Sequence, residues 1–268
     1  MVFFSHINIS FQDLIYKEET ALQLLSRLRP RPSLLYLEPR LFPEGLKPYE
    51  VVEIYGEHST GKTLLLMQLI KTAILPTSYN DVALRGLDAD VILLNTDHHF
   101  NISKLGLLMK KYIKKCFNQD KSIENLIIFN CFESESLHMS FHVIKKLLCE
   151  NVRISLIFID SICAFYWLDT IKGGIRKMDL YVINTIRSLS TCINSFKVSV
   201  IFTRPKFFQT AFNPSASLSS VFDLKSINVS IHLDKRIHHE DSFQAEVRKA
   251  ASAHTVYYTI NDEGINWL

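Results

Sequence analysis

Four residues in the first quarter of the chain have the types and spacing of a loop that binds phosphates. Gly56, Gly61, Lys62 and Thr63 satisfy the pattern G-x-x-x-x-G-K-[ST]. In such a loop the glycines let backbone N–H groups surround the phosphates, the lysine reaches the β- and γ-phosphates, and the threonine hydroxyl is a ligand of Mg²⁺. The predicted nucleotide contacts are the consecutive residues Gly56, Glu57, His58, Ser59, Thr60, Gly61, Lys62 and Thr63.

Two carboxylates follow apolar segments further along the chain. Asp160 ends "ISLIFID", and at the carboxyl end of a parallel strand it would hold Mg²⁺ together with Thr63. Asp97 follows "VILLN" and is the candidate base that orients an attacking water. A carboxylate at a strand end is also an ordinary helix cap. His98 and His99 come next, but adjacent residues of an extended segment face opposite ways, so no metal site is predicted there.

The elements that position these residues are indicated by an alternation of two patterns. Short apolar runs whose hydrophobicity is continuous rather than alternating predict strands that are covered on both faces, at 51–55, 91–95, 126–131, 154–160 and 198–203. Stretches with helical spacing lie between them, at 62–73, 101–117, 134–150 and 178–195. This alternation predicts an α/β fold, with a mostly parallel sheet and helices on both faces.

The two ends of the chain depart from that alternation. After residue 226, "INVSIHL", "FQAEVRK" and "TVYYTI" alternate with period two, which predicts an antiparallel C-terminal extension. Before residue 50, "EETALQLLSRLRP" has the spacing of a short amphipathic helix. We therefore expect an N-terminal arm at 1–49 and a core domain at 50–268. The leucines of that helix would dock onto a partner or pack on the chain's own core, and the sequence leaves both open.

Composition excludes several classes of protein. A net charge of +3 gives no general positive field for nucleic acid. The five cysteines are widely spaced and mostly set in apolar runs, so they predict neither a disulfide framework nor a metal site. The sequence has no run of eighteen apolar residues, so no membrane span is predicted. Its N-terminal apolar patch has no basic flank before it, so no secretory signal is predicted.

Several longer stretches give the sequence a family resemblance. The chain resembles RecA-type recombinases, and specifically the eukaryotic paralogues of the strand-exchange recombinase, in "RPSLLYLEPRLFP", "GEHSTGKT", "LLNTDHHF", "IDSICAFYWLDTIKGG" and "YYTINDEGINW". The resemblance implies a RecA-like P-loop ATPase core that binds ATP and Mg²⁺. It also implies a nuclear subunit of a hetero-oligomer with other recombinase paralogues, especially the D-type paralogue. Single-stranded or branched DNA would be bound through that complex, and no membrane is involved.

Two departures from the family pattern bear on hydrolysis. Active members carry a glutamate where this chain has Asp97, which is one methylene shorter, and positioning carries much of the catalysis. The strand "VSVIFT" is followed by "RPKFFQ", so that Gln209 comes several residues too late to sense the γ-phosphate. The resemblance places two DNA-facing loops at 166–177 and 204–226. The basic residues singled out in them are Lys172, Arg176, Lys177, Arg204 and Lys206.

Three functions compete at this stage. The first is a recombination-complex subunit that binds ATP and hydrolyses it weakly or not at all. The second is a competent DNA-dependent ATPase, because the phosphate-loop residues and Asp160 are intact. The third is a small-molecule kinase, which is disfavoured because the chain continues into antiparallel strands where such enzymes need an arginine-bearing lid.

Overall fold

The computed structural model describes residues 20–79, 82–112, 122–173, 177–206, 227–236, 242–250, 252–262 and 264–268. The strands are β1 (Val51–Gly56), β2 (Ser78–Tyr79), β3 (Val82–Ala83), β4 (Asp90–Asn95), β5 (Leu126–Asn130), β6 (Ile154–Asp160), β7 (Ser199–Pro205), β8 (Val229–Lys235), β9 (Ser242–Lys249), β10 (Ser252–Asn261) and β11 (Gly264–Trp267). The helices are α1 (Ala21–Leu28), α2 (Lys62–Ile74), α3 (Ile102–Tyr112), α4 (Ser134–Glu150), α5 (Tyr166–Lys172) and α6 (Met178–Ile193).

A nine-stranded mixed sheet forms the centre of the fold. Its strand order is β11-β10-β9-β8-β1-β7-β6-β4-β5, and β2 pairs with β3 in a separate small hairpin. All residues of β1, β4 and β6 are buried, as the continuous rather than alternating hydrophobicity of these segments predicts. Neighbouring residues of β4 enter different apolar clusters, since Val91 and Leu93 pack with α2 and α3 while Ile92 and Leu94 pack with α4 and α6. The predicted α/β class with helices on both faces is therefore confirmed.

The antiparallel extension is also confirmed, with one correction at its first strand. β8 pairs in parallel with β1 and antiparallel with β9, so the change of direction falls after β8 rather than at residue 227. The burial of β8 alternates with period two although the strand pairs in parallel with β1, so alternation did not indicate the direction of its neighbour. The small β2–β3 hairpin was not predicted from the sequence.

The N-terminal segment is tied to the core by one half-buried side chain. Arg31 donates hydrogen bonds to the carbonyl oxygens of Leu148, Asn151 and Ile154, at 2.8, 3.1 and 2.6 Å, and its guanidinium lies 5.5 Å from the Phe196 ring centroid. Five residues that follow it belong to the main apolar cluster: Leu34, Leu37, Leu41, Phe42 and Leu46. The second half of the predicted arm therefore packs on the chain's own core.

Helix α1 contacts the core through a different kind of residue. A capping box between Thr20 and Gln23 begins the helix. Its buried residue is Ser26, whose hydroxyl donates to the Leu148 carbonyl at 2.6 Å. The four leucines singled out in the sequence are exposed by 41 to 61%: Leu22, Leu24, Leu25 and Leu28. They leave an apolar face on α1 that the described core does not cover.

Candidate nucleotide-binding site

The predicted phosphate loop joins the end of β1 to the start of α2. Gly61 is the residue before the helix and has φ 86°, and Ser59 has φ 60°, so the loop needs backbone conformations that glycine adopts without strain. A Cβ on Gly56 would lie 2.4 Å from the Leu233 carbonyl oxygen, which requires glycine for steric reasons. The strand, the turn and the helix are those that a phosphate loop requires, and the N–H groups of the first turn of α2 form its anion-binding end.

Lys62 lies across this loop. Its ammonium donates hydrogen bonds to the carbonyl oxygens of Gly56 at 3.0 Å and Glu57 at 2.6 Å. Burial lowers the pKa of Lys62, while Asp160 and Asp97 act in the opposite direction. Their electrostatic effect on one ammonium indicates that the three side chains predicted from separate segments share a site. A polyphosphate would give the ammonium stronger, charged partners than these two carbonyls.

Asp160 is the most constrained residue of the site. Its side chain is 2% exposed, and Oδ1 accepts a hydrogen bond from the Thr203 hydroxyl at 2.6 Å. Among the described residues Oδ2 has no hydrogen-bond partner. Burial raises the pKa of Asp160, and hydrogen bonding from Thr203 and Thr63 partly offsets this. Thr63 lies near enough to affect this pKa but makes no hydrogen bond with Oδ2.

The free oxygen fits the predicted metal. A buried carboxylate oxygen without a partner is costly, and a hard cation with oxygen ligands is one way to satisfy it. Asp160 and Thr63 are the residues that would hold Mg²⁺, directly or through water, together with the oxygens of a bound phosphate. Bound there, Mg²⁺ would neutralise phosphate charge. Elsewhere in the described ranges, no group of three or more His, Cys, Asp or Glu side chains is arranged to hold a metal.

Asp97 is exposed just beyond β4. Its backbone N–H donates to the Asp160 carbonyl at 3.0 Å, which fixes its position next to the phosphate loop. The neighbouring His98 stacks on Phe132, with ring centroids 4.5 Å apart, and its Nε2 lies 3.0 Å from the Cys131 carbonyl oxygen. The position of Asp97 is compatible with the predicted role of a base, but its side chain is shorter than glutamate.

The two segments expected to face DNA are only partly described, and two expectations for them are wrong. Arg204 is 7% exposed and forms a buried ion pair with Glu53, so it is not a surface contact for phosphates. Residues 166–172 form α5 rather than a loop, and Lys172 pairs with Glu135 at 3.1 Å on the surface. Lys206 lies 3.6 Å from Asp234. Arg176 and Gln209 lie outside the described residues.

Two site residues were missed by the sequence analysis. Thr203 at the end of β7 holds the Asp160 carboxylate, and Tyr258 on β10 donates a hydrogen bond from its hydroxyl to the Thr60 carbonyl at 2.7 Å. The threonine had a signal, because it ends an apolar strand beside β6 and so lies at the carboxyl edge of the sheet. No sequence signal indicated Tyr258, because its position next to Thr60 depends on how the C-terminal strands pass beneath the loop.

Helices long and apolar enough to cross a membrane are absent from the described part of the chain.

Comparisons with known proteins agree with this geometry. The family model described as Rad51 matches residues 39–227. The DNA repair protein XRCC2 of Mus musculus is 32% identical over 162 residues, which cover 59% of this chain and 56% of that protein. The XRCC2 homolog of Arabidopsis thaliana is 24% identical over 195 residues, covering 59% and 52%. A DNA repair protein Rad51 homolog of Drosophila melanogaster is 24% identical over 165 residues, covering 61% and 46%.

The chain spans about half the length of the curated relatives it matches. The similarity to XRCC2 and to Rad51 homologues confirms the resemblance to recombinase paralogues that the sequence motifs predicted, and the mixed sheet confirms the RecA-like fold. Because the matched region covers well over half of the sequence, the chain belongs to the Rad51 family.

Proposed function

We propose that this protein is a subunit of a recombinase-paralogue complex that acts in DNA double-strand-break repair by homologous recombination. Family membership and the names of its relatives, which are DNA repair proteins, support this role. In this proposal the subunit binds Mg²⁺-ATP and supports assembly of the recombinase on DNA in the nucleus. Its partners are other recombinase paralogues, especially the D-type paralogue, and single-stranded or branched DNA is contacted through the complex.

The proposed binding of nucleotide is supported chiefly by one observation, the unpaired Oδ2 of Asp160 beside the phosphate loop. The carboxylate is buried, its other oxygen is held by Thr203, and Lys62 and Thr63 approach it from the start of α2. This arrangement supports a bound nucleotide with Mg²⁺ because the ion satisfies the oxygen that the described protein groups leave unpaired.

Weak hydrolysis is the second part of the proposal. Asp97 supplies the carboxylate at the end of β4, but a side chain one methylene shorter than glutamate would hold an attacking water less well. Binding does not require such a base, so an intact loop and a weak base are compatible in one molecule. The nucleotide would then act as a structural or switching ligand.

A competent DNA-dependent ATPase is the alternative. It is favoured by the intact loop and by the shared electrostatic environment of Lys62, Asp160 and Asp97. In this alternative a carboxylate as short as Asp97 would suffice for positioning water.

The two functions differ in ATP turnover. We would measure phosphate release by the purified chain with and without single-stranded DNA, comparing the wild type, Asp97→Glu and Lys62→Ala. The proposal predicts negligible turnover in the wild type and an increase of about tenfold or more in Asp97→Glu, because the longer side chain restores the position of the base. Turnover by the wild type that DNA stimulates and Lys62→Ala abolishes would instead establish the alternative.

A further inference from the structure

The C-terminal strand β10 passes directly beneath the phosphate loop. The Tyr258 hydroxyl donates to the Thr60 carbonyl at 2.7 Å, and a Cβ on Gly61 would lie 2.8 Å from Cδ1 of Ile260. The Tyr258 ring is 0% exposed, stacks on Phe243 with centroids 5.4 Å apart, and meets Trp267 edge to face at 5.6 Å. A rigidly packed donor therefore holds one peptide group of the loop.

That peptide group joins Thr60 to Gly61. In a trans peptide the C=O and N–H bonds point in opposite directions, so a carbonyl held by Tyr258 directs the Gly61 N–H to the other side of the loop. The Thr60 hydroxyl also donates to the Glu57 carbonyl at 3.0 Å, which fixes the residue before this peptide. Because Gly61 has no side chain, its backbone can adopt many conformations besides the observed φ of 86°. Without the hydrogen bond from Tyr258, the Thr60–Gly61 peptide would therefore rotate readily.

We propose that Tyr258 is a positioning residue for nucleotide binding, which keeps the Gly61 N–H directed at the phosphates of the ligand. This inference rests on the proposed binding of nucleotide and adds that the C-terminal extension shapes the loop. Burial raises the pKa of Tyr258, so the phenol remains a donor across the pH range in which the protein is handled. A preorganised backbone donor binds phosphate without first losing free energy to reorientation.

The test compares nucleotide affinity at three versions of residue 258 in the full chain. Tyr258→Phe removes the hydroxyl and keeps the ring, while p-aminophenylalanine at 258 replaces it with another donor. By calorimetry with Mg²⁺-ATP and Mg²⁺-ADP, we expect Tyr258→Phe to bind both nucleotides about tenfold more weakly. The amino derivative should recover most of this loss. The matched control is Tyr257→Phe, because Tyr257 is exposed and stacks with Arg236 on the other face, and it should bind as the wild type does.

A second measurement uses the wild type alone. The Gly61 amide proton should shift strongly downfield in the NMR spectrum when Mg²⁺-ADP binds, because it becomes hydrogen-bonded to a phosphate. An unshifted Gly61 amide would overturn the inference even if Tyr258→Phe failed to fold. A shift that persists at full size in a folded Tyr258→Phe variant would also overturn it, because a purely structural role of the tyrosine changes stability and not this signal.

The remaining outcomes are also decisive. Equal affinity of the wild type and Tyr258→Phe would overturn the inference and leave the proposed nucleotide binding intact. Weakening that the amino derivative does not recover would assign the effect to packing rather than to the hydrogen bond. A wild-type chain that binds neither nucleotide would contradict the proposed binding and this inference together.

Discussion

At the scale of single residues, Asp160 shows a conflict between stability and ligand binding. Its carboxylate is buried with one oxygen unpaired among the described groups, and burial raises its pKa. Asp160→Asn removes the buried charge and keeps an oxygen for the Thr203 hydroxyl. We expect the free chain to be stabilised at pH 7 by on the order of 1–2 kcal/mol, while the dependence of nucleotide binding on Mg²⁺ is lost. Urea unfolding and calorimetry at several Mg²⁺ concentrations measure both.

The sign of the pH dependence follows from the raised pKa. The folded chain accepts this proton more readily than the unfolded chain does, so its stability falls as the pH rises from the ordinary value of 3.8 through the folded-state pKa. The advantage of Asp160→Asn is therefore complete above the folded-state pKa and disappears at lower pH. Asp90→Asn is the matched control: Asp90 pairs with Arg153 at 3.1 Å and Asn151 at 2.6 Å, so the same substitution should destabilise. A lower stability of Asp160→Asn at pH 7 would contradict the explanation that the buried carboxylate destabilises the free chain.

Gly61 gives a second prediction at this scale. An alanine there would be strained at φ 86° and would contact Ile260, so Gly61→Ala should cost about 1–2 kcal/mol of stability and most of the nucleotide affinity. Gly106→Ala is the control, because a Cβ on this glycine of α3 meets no atom within 4 Å and a helix interior favours alanine. The unfolding temperatures of the two variants should shift in opposite directions. An unchanged unfolding temperature in Gly61→Ala would contradict the steric explanation.

At the scale of elements, the central sheet could be predicted and its edges could not. In runs such as "VILLN" and "ISLIFID" the apolar residues are mostly consecutive rather than alternating, because β4 and β6 are covered on both faces, and that pattern has one simple structural solution. β8 alternates, yet it pairs in parallel with β1, because alternation reports the exposure of a face and not the direction of a neighbour. Arg204 was misread for a similar reason: sequence gives its charge but not Glu53 on an adjacent strand.

The attachment of the N-terminal segment is testable at this scale. Arg31 donates to three carbonyl oxygens around the end of α4 and the start of β6, and its partial burial lowers its pKa to about 10. Arg31→Ala should destabilise the chain by about 2–3 kcal/mol, because buried carbonyls lose a charged donor. Arg29→Ala, at an exposed position, should change stability by less than about 0.5 kcal/mol. Urea unfolding measures the stability of both variants. Equal losses of stability in Arg31→Ala and Arg29→Ala would contradict the role of Arg31 in attaching the segment.

At the scale of the whole molecule, we propose that the exposed apolar face of α1 docks onto a partner subunit. Its leucines are exposed although Ser26 and Arg31 fix the segment to the core, so their substitution should not disturb folding. We expect Leu25→Glu combined with Leu28→Glu to leave the unfolding midpoint unchanged and to weaken co-purification with a D-type recombinase paralogue by at least about tenfold. Leu107→Glu, an exposed leucine on α3, is the control. Retained co-purification by the α1 variant would contradict the proposed docking role.

The proposed binding of nucleotide by the loop at residues 56–63 is tested by calorimetric titration of the purified chain with Mg²⁺-ATP. We expect saturable binding of one nucleotide per chain. Lys62→Ala should lose at least about tenfold in affinity because its ammonium would bind the phosphates, and Lys104→Ala, whose side chain is exposed on α3, should show no change. No binding by a folded wild type, or equal binding by Lys62→Ala, would contradict it.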